Sequence, residues 1–114
     1  IVNGSDKLSL WLNGLSRAAG VQTVVDGAFY KIGIGRKSGA TFIWINDAED
    51  ATGSSTDDFT NAAAICSLGA EITGSLPATT MNITQFRFSK TVPDFEEWCV
   101  DYKREKGLFS EDAV

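Results

Sequence analysis

A change in hydrophobic period near Gly20 constrains the fold of this chain more than any other feature. After Gly20 the sequence is rich in β-branched residues, in VQTVV at 21–25, and then reaches Asp26-Gly27. An Asp-Gly dipeptide next to such a run indicates a tight hairpin, because both turn residues need positive φ. AFYKIGI at 28–34 and ATFIWIN at 40–46 follow as further strands, separated by the turn sequence GRKSG. We therefore predict an antiparallel meander of three strands.

Before Gly20, apolar residues recur at helical spacing in SDKLSLWLNGLSRAAG, residues 5–20. They are Leu8, Trp11, Leu12, Leu15 and Ala19. This spacing predicts a first helix with one apolar face. Ser5 or Asp6 can cap its start and Gly20 can end it, although Gly14 in its interior costs about 1 kcal/mol relative to alanine.

The second half of the chain predicts a polar linker, a helix, a strand and a last helix. NDAEDATGSST at 46–56 is the linker, and Ser55 with Asp58 fits a capping box at the start of a second helix. The apolar stripe of that helix contains Phe59, Ala62, Ala63 and Cys66. MNITQFRFSKT at 81–91 alternates as a strand. Pro93 then opens a third helix, whose stripe contains Phe95, Trp98, Cys99 and Tyr102.

These elements predict an α+β fold in the order α-β-β-β-α-β-α. An antiparallel sheet of about four strands would carry the three helices, and Trp11, Trp44 and Trp98 would lie in the core. With 114 residues, the chain is expected to form a single globular domain.

Composition excludes several classes of function. The net charge is −5, with ten basic against fifteen acidic residues, which argues against nucleic acid as a partner. No apolar run approaches the length that inserts into a membrane as a helix. The chain has no histidine, so neither a Ser-His-Asp nor a Cys-His nucleophile can be built. We expect no cofactor, and we expect catalysis less than binding.

The two cysteines, Cys66 and Cys99, are each placed on the apolar stripe of a predicted helix. If those helices pack side by side, a disulfide between them would add about 3 to 4 kcal/mol of stability. The alternatives are two reduced core thiols or a catalytic thiolate. Neither cysteine has a basic neighbour in sequence that would lower its thiol pKa, which disfavours the thiolate.

Five acidic residues in and after the linker are weak candidates for calcium ligands, because carboxylates are the oxygen donors that calcium prefers. They are Asp47, Glu49, Asp50, Asp57 and Asp58. The sequence DDFTNAAAICSLGAEI at 57–72 resembles the first helix of C-type lectin-like domains over about sixteen residues. That resemblance implies a glycan- or calcium-binding module. The Trp-rich strand expected after such a helix is missing, so no family is assigned.

The residues therefore favour a non-enzymatic extracytoplasmic interaction protein of the effector, toxin, adhesin or inhibitor type. It would be secreted, soluble and acidic, would bind a protein or glycan partner through its surface, and would be a monomer or a homodimer. One alternative is a lectin-like module that binds a glycan or calcium. The other is a small cytoplasmic enzyme or regulatory subunit that works without histidine.

Overall fold

The computed structural model describes residues 5–12, 15–57 and 83–108. The chain divides into two compact units, Asp58–Phe88 and the remainder. Of the unit Asp58–Phe88, the structure describes residues 83–88, in which the rings of Phe86 and Phe88 pack edge to face with their centroids 5.1 Å apart. The remainder contains all of the strands and helices that are described.

The segment predicted to be the first helix is a β-hairpin. Strand β1, Lys7–Leu12, pairs antiparallel with strand β2, Leu15–Thr23, and Leu12 lies opposite Leu15. The helical prediction was wrong because KLSLWL also alternates with the period of a strand, with Leu8 buried and Trp11 exposed. The tertiary contacts of Leu8 select the strand.

A three-stranded meander follows, but it is not the predicted one. Only the predicted strands at 28–34 and 40–46 overlap with it, while residues 21–23 belong to β2, and Asp26-Gly27 lies in the connection between the two sheets instead of in a hairpin of the meander. Strands β3 (Ile32–Lys37) and β4 (Ala40–Ile45) pair antiparallel through a turn at Ser38 and Gly39. Both turn residues have positive φ, at 51° and 82°, which gives the connection the twist that a two-residue hairpin needs. The predicted turn at residues 35–39 is thus shorter than expected, since 35–37 belong to β3.

The predicted polar linker at 46–56 is in fact mostly a strand. Strand β5, Ala48–Ser54, completes the meander by pairing antiparallel with β4. Polar composition misled the prediction here, because a strand at the edge of a sheet needs few apolar residues when only part of it is buried.

The core lies between the hairpin and one face of the meander. It is formed by Leu8, Ala18, Ile43 and Ile45. The backbones approach closely at Gly53, where an added Cβ would overlap the Arg17 carbonyl oxygen and lie 2.8 Å from Thr41 Oγ1. Thr41 Oγ1 in turn donates to that carbonyl at 3.0 Å, so buried polar atoms as well as apolar side chains join the two sheets.

Helix α1, Phe95–Glu105, packs against the opposite face of the meander through the rings of Phe95 and Trp98, and it continues into a 3-10 turn at Lys106–Leu108. Asp94 is the N-cap, and its backbone N–H donates to Glu97 Oε2 at 3.3 Å. The predicted third helix is thus confirmed, with Pro93 one residue before the cap. An exposed apolar residue, Val100, marks its outer face.

The predicted order of elements is wrong as a whole. In the described residues there are five strands in two antiparallel sheets and one α-helix near the C-terminus. The second predicted helix falls on residues outside the described ranges. Residues 83–91, the described part of the predicted strand at 81–91, form no strand. Apolar and polar residues alternate in this segment, but a strand also needs a partner strand, and none of the described strands pairs with its backbone N–H and C=O groups.

Candidate binding surface

Strand β3 is an edge of the meander, since it pairs with β4 alone among the described strands. The backbone groups of a strand point alternately to its two sides. The Lys31 carbonyl accepts from Asn46 N at 2.8 Å on the β4 side, which places the backbone of Ile32, one residue later, on the outer side. The same alternation places Ile34 there. The N–H and C=O groups of Ile32 and Ile34 therefore point away from the sheet.

The side chains of Ile32 and Ile34 are exposed, at 44% and 45% of their surface. Ile32 lies opposite Ile45, and Ile34 lies opposite Ile43. Residues directly opposite in a sheet project from the same face, so these side chains continue the core face outward. An apolar stripe thus runs from the buried centre of β4 to the open edge of β3.

A cleft of about 450 Å³ adjoins this stripe at Ile32. Its walls are Asp6, Leu8, Thr23, Val24, Val25, Asp26, Tyr30 and Ile32. Two hydrogen bonds hold the walls, one from Val24 N to Asp6 O at 2.7 Å and one from Val25 N to Tyr30 Oη at 3.0 Å. The lining combines apolar side chains with two carboxylates, so the cleft suits an apolar or basic side chain.

Charges of opposite sign lie near the two ends of the β3 edge. Asp6 and Asp26 line the cleft near Ile32, and Arg36 and Lys37 lie at the other end of the strand. The Lys37 ammonium pairs with Asp94 at 3.3 Å, but both side chains are mostly exposed, so solvent screens that pair. Two carboxylates thus lie near the Ile32 end of the edge, on the core face, and two cationic residues lie at the Lys37 end, while Lys31, next to Ile32, pairs with Glu105 on the face toward helix α1.

The face of β3 toward helix α1 is packed by aromatic rings. Gly33 and Gly35 have no side chains, and Trp98 and Phe42 occupy the space above them. The Trp44 ring lies 4.2 Å from the Phe42 ring and 5.6 Å from the Trp98 ring, measured between centroids. This packing fills the space on the side of β3 that faces helix α1.

Lys31 contacts the Trp98 ring at one end of the same aromatic cluster. Its ammonium lies 4.4 Å from the centre of the Trp98 ring and 2.9 Å from the Glu105 carboxylate. Trp98 Nε1 donates to Asn46 O at 2.6 Å. The helix is thus attached to the meander at the residues that precede and follow the β3–β4 pair.

The acidic residues predicted to bind calcium lie in separate places. Asp47 is in the β4–β5 turn, and Glu49 Oε2 accepts from Trp44 Nε1 at 3.4 Å. Asp50 is buried against β2, and Asp57 forms an ion pair with Arg17 at 2.9 Å. Asp58 lies outside the described residues. Within the described ranges, no group of three or more acidic, cysteine or histidine side chains is arranged to hold a metal ion.

The Asp57 carboxylate contacts neighbouring side chains in the described structure. Ser55 Oγ donates to its carboxylate, and Arg36 Nη1 donates to its backbone carbonyl at 2.6 Å. With the Arg17 ion pair, these bonds attach the end of β5 to both sheets.

The predicted disulfide stays a prediction, because Cys66 lies outside the described residues. Cys99 is half-buried, and its Sγ lies 3.7 Å from the Asp47 carbonyl oxygen. Of the three tryptophans, Trp44 is buried and Trp98 half-buried, close to expectation. Trp11 is 49% exposed, so its assignment to the core was wrong.

No family model, curated protein or solved structure matches this chain. Helix α1 is too short to cross a bilayer, and the described residues contain no other helix with the length and apolar character to do so. The β3 edge was not among the predicted site residues. The signal for it in the sequence is IGIG at 32–35, where isoleucine alternates with glycine.

Proposed function

We propose that this chain is a non-enzymatic, extracytoplasmic interaction protein that binds an extended segment of a protein partner along the β3 edge. The observation that carries the proposal is the coincidence of outward backbone groups with the exposed side chains of Ile32 and Ile34. An extended segment placed there would add a strand to the meander. Strand addition of this kind gains affinity from the backbone and specificity from alternate side chains.

The surroundings of the edge support the same mode of binding. A side chain of the segment that projects toward the core face beside Ile32 would enter the cleft between Leu8 and Tyr30. Acidic residues at one end and basic residues at the other would favour one direction and register of the segment.

Two observations support the non-enzymatic part of the proposal. The sequence has no histidine, so the commonest general base is absent from the chain. Two of the carboxylates that might replace it, Asp50 and Asp57, already accept hydrogen bonds from the backbone or from neighbouring side chains.

The test is selection of binding peptides from a random library, followed by affinity measurement on variants. We expect the selected peptides to alternate apolar residues and to lack proline. Ile34→Asp should weaken their binding at least about tenfold, because it places a charge on the apolar stripe. Val21→Asp is the matched control, since Val21 is 72% exposed on β2 and lies away from the edge.

A second readout separates strand addition from simple hydrophobic adsorption. N-methylation of alternate peptide amides removes the donors that would pair with the edge, and binding should then be lost in one phase of the alternation only. Peptides that bind Ile34→Asp as well as the unaltered protein, or that tolerate N-methylation at every position, would refute the proposal.

A further inference from the structure

We infer that the extended segment that fits this edge is strand β3 of a second copy of the chain, paired antiparallel about a two-fold axis. The inference rests on the proposed function, because it names the partner of the same edge. A two-fold interface requires a surface that is complementary to itself. The order of apolar and charged groups along β3 meets that requirement.

The register follows from the two outward residues. When Ile32 of one copy lies opposite Ile34 of the other, both can exchange N–H and C=O groups with their partners. The two such pairs around the axis give about four backbone hydrogen bonds. The same register brings four isoleucine side chains together on the core face, where each is now exposed to water.

The charges favour this register and this direction. Antiparallel pairing brings Arg36 of each copy opposite Tyr30 of the other, beside the cleft that holds Asp6 and Asp26. Parallel pairing would instead place like-charged ends together. The basic end of each strand therefore meets the acidic end of its neighbour only in the antiparallel arrangement.

The face toward helix α1 distinguishes this register from the one that places Ile34 opposite itself. With Ile32 opposite Ile34, the two copies of Gly33 face each other at the axis, and Lys31 faces Gly35. A register that placed Ile34 opposite itself would set Lys31 against Lys37 of the other copy. Like charges directly opposite each other destabilise a sheet, so the first register is preferred.

The test combines sedimentation equilibrium with backbone amide exchange on the unaltered protein over a range of concentrations. We expect the mass to rise from the 12.2 kDa of one chain toward twice that value. In parallel, the amide protons of Ile32 and Ile34 should exchange at least about tenfold more slowly as the dimer forms. The amide of Ile43, in the central strand, serves as the internal control.

The matched variants are again Ile34→Asp, which should remain monomeric, and Val21→Asp, which should dimerise like the unaltered protein. Circular dichroism verifies that both are folded. A dimer that leaves the Ile32 and Ile34 amides unprotected uses another surface and overturns the inference. So does a monomer at every concentration. A monomer that still binds strand peptides in an Ile34-dependent way overturns the inference alone and leaves the proposed function standing.

Discussion

The Asp50 side chain joins the two sheets by hydrogen bonds between β5 and β2. The pairing of β4 with β5 shifts register between Ile43 and Trp44, and Asp50 is the extra residue on β5. A bulge of this kind redirects a side chain. Asp50 Oδ1 accepts from the backbone N–H groups of Val21 at 3.1 Å and Gln22 at 2.6 Å. The second oxygen, Oδ2, is buried without a hydrogen-bond partner.

Replacing Asp50 by alanine should lower the free energy of unfolding by about 2 kcal/mol, because two backbone donors lose their acceptor. Asp50→Asn should cost less, since its amide oxygen can still accept from both. Urea denaturation followed by circular dichroism gives both values. An Asp50→Ala variant as stable as the unaltered protein would show that water replaces the carboxylate at no cost.

Gly20 provides the matching half of a double-mutant cycle. An added Cβ at Gly20 would overlap Asp50 Oδ2 and lie 2.8 Å from the Leu8 carbonyl oxygen. Gly20→Ala should therefore be less destabilising when Asp50 is already alanine, with a coupling energy of about 1 kcal/mol. Additive effects in the same urea measurements would contradict direct contact between the two positions.

At the scale of elements, the attachment of helix α1 depends on Trp98. Trp98→Phe removes the Nε1 hydrogen bond to Asn46 O and part of the ring contact with Trp44. We expect a loss of about 2 kcal/mol in thermal or urea unfolding. Val100→Ala on the outer face of the same helix should change stability by less than about 0.5 kcal/mol. Equal effects of the two substitutions would mean that the helix does not depend on its aromatic contacts.

The elements also show why only part of the fold was predictable. The pairing of residues 28–34 with 40–46 was predictable because the turn sequence at 35–39 and the apolar runs on either side of it agree, whereas the hairpin predicted at Asp26-Gly27 is wrong because that dipeptide connects strands of different sheets. In residues 5–20, Leu8, Leu12 and Leu15 satisfy a helical period while KLSLWL satisfies a strand period. Asn13-Gly14 was the deciding signal, since an Asn-Gly dipeptide between apolar runs is typical of hairpins. The helical prediction counts Gly14 only as an interior residue that costs about 1 kcal/mol.

The candidate site was less predictable than the fold, for a physical reason. Asp50 and Asp57 look alike in sequence, but one supports β2 and the other pairs with Arg17. Their roles depend on which backbone groups and charges the fold brings near them. The β3 edge likewise depends on strand order, because Ile34 would be buried if another strand followed it in the sheet. Residue type alone contains neither kind of information.

At the scale of the whole molecule, the proposal that the protein works outside the cytoplasm leads to a prediction about the cysteines. If the proposed disulfide between Cys66 and Cys99 is present, protein from its natural source should resist alkylation under denaturing, non-reducing conditions and be two protons lighter than the reduced chain. Intact mass spectrometry measures both properties, and reduction before alkylation provides the control. Modification of both thiols without reduction would remove the main support for an oxidising compartment.

Self-association at the β3 edge would also affect the stability of the whole chain. A dimer that forms only from folded chains stabilises the folded state by mass action, so the melting temperature must rise with protein concentration. For a chain of this size, a tenfold increase should raise Tm by about 2 °C once the dimer predominates. Ile34→Asp should abolish the dependence, and Val21→Asp, whose substituted side chain lies on β2, should retain it. Scanning calorimetry of the three proteins at matched concentrations measures the slopes. A slope of zero for the unaltered protein would mean that the edge stays unpaired in solution, whatever segment of another protein it binds.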